Sequence, residues 1–82
     1  VGFVLSNLNT LDGYVKTLIR YAADIERMVS DTAPALKSDM RALAEQADLA
    51  YLLGDAPTLV QESREGLARV RTIVVDLRDF SR

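Results

Sequence analysis

No cysteine occurs among the 82 residues, so disulfides and thiolate chemistry are excluded. Histidine is missing too, which removes imidazole metal ligands, imidazole general bases and phosphohistidine chemistry from this chain. The four glycines, at 2, 13, 54 and 66, stand too far apart to build a phosphate-cradling loop. No apolar run comes near the roughly 18 residues that span a bilayer, so this segment is expected to make no membrane contact. A net charge of −2 provides no basic footprint for nucleic acid. No basic stretch precedes Val1–Leu5, which argues against a signal peptide, and the start at Val1 predicts a piece of something longer.

What the chain does have is apolar side chains at helical spacing. About half of its residues are apolar and a quarter charged, the balance of a folded domain, and the length allows only one, spanning 1–82. Val1, Val4, Leu8, Leu11, Val15, Leu18, Ala22, Ile25 and Val29 follow alternating steps of three and four, a coiled-coil seam. Leu5 and Ile19 widen that stripe. The spacing predicts a helix over about 2–30, roughly 45 Å long, with Asp12–Lys16 and Arg20–Asp24 as i,i+4 pairs on its outer face. Ala56, Leu59, Ser63, Gly66, Val70, Ile73, Leu77 and Phe80 repeat the pattern and predict a second helix over about 56–81. Gly54 reads as the stop of the preceding segment, Asp55 as an N-cap and Pro57 as a first-turn residue. Between them, Pro34 should end the first helix, and a helical connector is expected over about 34–53. No alternating β-branched run predicts a strand.

The fold class expected is therefore all-α: a long antiparallel helical hairpin with a shorter helical connection. Each stripe needs cover on more than one side. Both stay apolar beyond the reach of a short middle helix, so a homodimeric four-helix bundle is favoured over a monomeric three-helix one. The dimer and core seam is assigned to Val4, Leu8, Leu11, Val15, Leu18, Leu59, Val70, Ile73, Leu77 and Phe80.

Catalytic constellations are sparse. Ser6, Ser38, Ser63 and Ser81 have no imidazole to activate them. Lys16 and Lys37 fall on polar faces. Asp76 and Asp79 read as solubilising charge near a helix end, and no carboxylates show calcium-loop spacing. The chain by itself should catalyse nothing and needs no cofactor or metal. Charge is uneven: residues 31–63 carry a net −4 and residues 64–82 a net +2. Arg64, Arg69, Arg71 and Arg78 could grip phosphate or an acidic partner, or form surface pairs such as Glu65–Arg69. Tyr14, Tyr21 and Tyr51 are not interleaved with basic residues, so core or rim positions suit them better than base stacking.

The two ends resemble a known family. Val1-Gly2-Phe3-Val4-Leu5-Ser6-Asn7-Leu8 is similar to the stretch that directly follows the His-Glu-Ile-Asn-Asn-Pro phosphoacceptor box of some two-component sensor histidine kinases. Glu62-Ser63-Arg64-Glu65-Gly66-Leu67-Ala68-Arg69-Val70-Arg71-Thr72-Ile73-Val74-Val75-Asp76-Leu77-Arg78-Asp79-Phe80-Ser81-Arg82 resembles the second helix of their dimerisation and histidine-phosphotransfer domain. Residues 31–53 match no motif of the family.

The resemblance implies a homodimeric four-helix bundle in a cytoplasmic kinase region, signalling to the receiver domain of a response regulator. It also implies that the parent kinase uses ATP and Mg. The phosphoacceptor histidine would lie just before Val1, so no catalytic residue carries over to any position here. Ser6, Asn7 and Asn9 on the first helix, with Arg71 and Arg78 on the second, resemble the receiver-docking region. The expected function is thus a dimerisation and phosphotransfer-domain fragment of a two-component signal-transduction histidine kinase, without its phosphoacceptor and its ATP-binding domain. The rival from another class is a non-enzymatic coiled-coil scaffold or adaptor, since heptad-bearing helices share composition.

Overall fold

The computed structural model describes residues 2–81. Val1, which opens the first stripe, and Arg82, which closes the kinase-like run, lie outside the described residues. The described chain is all-α: α1 spans Gly2–Thr32, a 3₁₀ turn Pro34–Leu36, α2 Lys37–Gln46 and α3 Leu49–Phe80.

Helix α1 stops where Pro34 dictates. A residue before proline is pushed out of the helical region, and Ala33 sits at φ −141°, ψ 62°. The Ala33 N–H still donates to the Val29 carbonyl at 2.9 Å, closing the last turn. Pro34 then opens the 3₁₀ turn, where its missing N–H is no loss. α2 starts directly after, with Asp39 in its first turn, a favourable place for negative charge.

The next break differs from the sequence reading. It falls at Ala47–Asp48, not at Gly54–Asp55, and α3 begins at Leu49 rather than near 56. Asp48 adopts φ 52°, ψ 43°, the left-handed conformation that Asp tolerates better than most residues. Its carbonyl accepts the Leu52 N–H at 3.1 Å to start α3. Gly54 is therefore no helix stop, Asp55 no N-cap, and Pro57 lies inside α3. An internal proline removes a donor and disfavours the helix by about 3 kcal/mol. The helix runs through it because Leu49, Leu53, Ala56 and Val60 form one continuous apolar row against α1, and breaking the helix would strip that row. Val60, at 6% exposure, is the single buried hydrophobic among the described residues.

α1 and α3 run antiparallel. Leu5 shares a pocket with Val74 and Val75, Asp12 meets Arg64, and Val15, Ile19 and Ala22 share a groove with Leu49, Leu53 and Ala56. The hairpin is a rod of 69 × 18 × 13 Å with a Cα radius of gyration of 19.3 Å. A compact domain of this length would have a radius near 12 Å.

Candidate interaction surface

Helix α1 carries four apolar rows, each repeating every seven residues. Leu5 and Ile19, with Asp12 between them, form one; Leu8, Val15, Ala22 and Val29 form the next. Both are half-buried, and Leu5, Val15, Ile19 and Ala22 in them turn toward α3. The third row is Val4, Leu11, Leu18 and Ile25, and the fourth is Tyr14, Tyr21 and Met28. Every member of these two is exposed. A single neighbouring helix covers only half of so wide an arc.

α3 divides in the same way. Leu49, Leu53, Ala56, Val60 and Leu67 turn toward α1, whereas Leu52, Leu59, Val70, Ile73, Leu77 and Phe80 are exposed, Phe80 to 90%. The seam assigned from sequence is therefore two surfaces. Leu8 and Val15 serve the intrachain contact, while Val4, Leu11, Leu18, Leu59, Val70, Ile73, Leu77 and Phe80 stand open. Near the connector, Tyr21 and Ile25 of α1, Met40 and Leu43 of α2 and Leu49 of α3 line a groove whose walls are almost wholly apolar.

The area exposed is large for the mass. The chain presents 6614 Å² to solvent, against about 4,900 Å² for a compact monomer of 9.1 kDa. The excess, roughly 1,700 Å², is about twice what one partner contributes to a standard protein–protein interface.

At the open end of the hairpin, Gly2, Leu5, Arg71, Val74, Val75 and Arg78 line a shallow pocket. Ser6, Asn7 and Asn9 are exposed on the adjoining turns of α1. The fold thus brings Arg71 and Arg78 to the same end as Ser6, Asn7 and Asn9. Neither arginine has a carboxylate partner among the described residues.

The charged pairs settle differently from the sequence reading. Asp12–Lys16 forms, at 2.9 Å. Asp24 takes Arg27 at 2.7 Å rather than Arg20, the shorter i,i+3 partner. Glu65 accepts a hydrogen bond from Gln61 at 3.1 Å, and that pairing replaces the expected Glu65–Arg69 contact. Sequence reasoning missed a contact between helices: Asp12 Oδ2 also lies 3.7 Å from Arg64 Nη1. The signal for it was Asp12 standing in the row of Leu5 and Ile19.

Among the described residues, no cluster of carboxylates could hold a metal ion, and no helix is long and apolar enough to cross a membrane. No protein-family model matches the chain, and neither does any curated protein or solved structure.

Proposed function

We propose that this chain is the dimerisation segment of a two-component sensor histidine kinase, one that pairs with a second copy but transfers no phosphate itself. The observation that carries the reading is the uncovered pair of seven-residue rows on α1, matched by the open row on α3. Identical seams of this kind satisfy each other about a two-fold axis, and two hairpins so joined make a four-helix bundle. The excess of roughly 1,700 Å² per chain suits an obligate interface. The kinase-like ends, residues 1–8 and 62–82, supply the family. A cytoplasmic location and a response-regulator receiver domain as partner follow from the same resemblance. Exposed Ser6, Asn7 and Asn9 beside Arg71 and Arg78, which have no carboxylate partner among the described residues, are the docking surface in this reading.

The chemistry belongs to the parent protein, whose ATP and Mg would be held by a separate domain. What this segment contributes is geometry: a stiff bundle that holds two copies of the adjoining phosphoacceptor in fixed relation. The test is phosphorylation of the parent kinase with labelled ATP, followed by peptide mapping. The label should fall on a histidine upstream of residue 1 and on none of residues 1–82. Label within 1–82, or a parent that takes up none, overturns the proposal.

A further inference from the structure

We propose that Asp12 and Arg64 form a register latch that fixes how α1 and α3 are aligned along the hairpin. Apolar rows alone do not choose an alignment. Leu5, Leu8, Val15, Ile19 and Ala22 on one helix would repack against Leu53, Ala56, Val60 and Leu67 on the other after a slide of one turn, about 5.4 Å. The charged layer breaks that degeneracy. Asp12 occupies the row of Leu5 and Ile19, and its side chain is only 18% exposed. One oxygen, Oδ2, receives both Lys16 Nζ at 2.9 Å and Arg64 Nη1 at 3.7 Å. Arg64 is held from its own helix by Gln61, whose Oε1 accepts from Nη1 at 3.3 Å.

A one-turn slide in either direction would set Val60 or Leu67 opposite Asp12, leaving the carboxylate in an apolar layer with only Lys16 beside it. A single polar position in an apolar seam specifies register in this way in coiled coils. The latch concerns one chain, so it stands whether or not the kinase reading holds.

The absence of cysteine makes the test direct. Nitroxide labels on A23C and A68C, both positions exposed, sit about 22 Å apart along the helix axis in this register. A one-turn slide changes their separation by about 5 Å. Pulsed electron resonance on the labelled full chain, diluted with unlabelled chain to suppress distances between copies, should give one narrow distance. With Asp12→Leu or Arg64→Leu added, a second population displaced by about 5 Å is expected, with helicity by circular dichroism retained. A single unchanged distance in both variants, or two distances in the natural sequence, overturns the latch.

Discussion

Leu18→Gln tests the open face of α1 at one of its most exposed apolar positions, on the rim of the groove toward α3. Leu18 belongs to the open row with Val4, Leu11 and Ile25 and is 63% exposed in the single chain. Fully burying a leucine side chain is worth about 1.5–3 kcal/mol, so covering the exposed part by a second copy contributes about 1–2 kcal/mol. A symmetric dimer contains the contact twice, which makes about 2–4 kcal/mol. Glutamine matches leucine closely in helix propensity, so α1 itself should be undisturbed. The dissociation constant should therefore rise roughly 30- to 1,000-fold. Size-exclusion chromatography with light scattering over a dilution series reads this directly, with Arg20→Gln on the exposed outer face as the control that changes nothing. A Leu18→Gln chain that stays helical and associates as tightly as the natural one would refute the reasoning.

Other substitutions probe the fold and the seam separately. Asp48→Gly should leave stability unchanged or raise it by up to about 1 kcal/mol, and Asp48→Ala should lower it by about 1–2 kcal/mol, because φ is positive there; thermal melts followed by circular dichroism give the order. A Cβ at Gly54 meets nothing within 4 Å, so Gly54→Ala should stabilise by about 0.5–1 kcal/mol in urea titrations; a loss would restore the helix break first expected at that position. At Gly66 a Cβ would touch only Arg69 Nη2, at 4.0 Å, so the single hairpin has room for the methyl of Gly66→Ala. Because Gly66 lies in the open row of α3 with Leu59 and Ile73, that variant should weaken association while keeping its helicity, as sedimentation velocity would show.

The helices were legible in the sequence because their apolar steps of three and four are nearly unbroken, and Pro34 marks the end of α1 by sterics alone. The connector was not. Gly54, Asp55 and Pro57 together imitate a helix boundary, yet the row Leu49–Leu53–Ala56–Val60 turns as a unit toward α1, half-buried except for the buried Val60, and tertiary packing overrides the local signal. The true break at Asp48 has only an aspartate's tolerance of the left-handed region to announce it. A similar limit applies to the surface. Spacing assigned Leu8 and Leu11 to one seam, because at 3.5 residues per turn they are adjacent; only the position of α3 shows that the first turns inward and the second outward. Asp12 read as a solvated partner of Lys16, since nothing in the sequence places Arg64 across from it.

A hairpin too thin to cover its own apolar rows should pair with a second copy. Sedimentation equilibrium of the natural chain at tens of micromolar measures this most directly. Twice 9.1 kDa, about 18 kDa, is the mass expected; a fully helical species that remains at 9.1 kDa would contradict it.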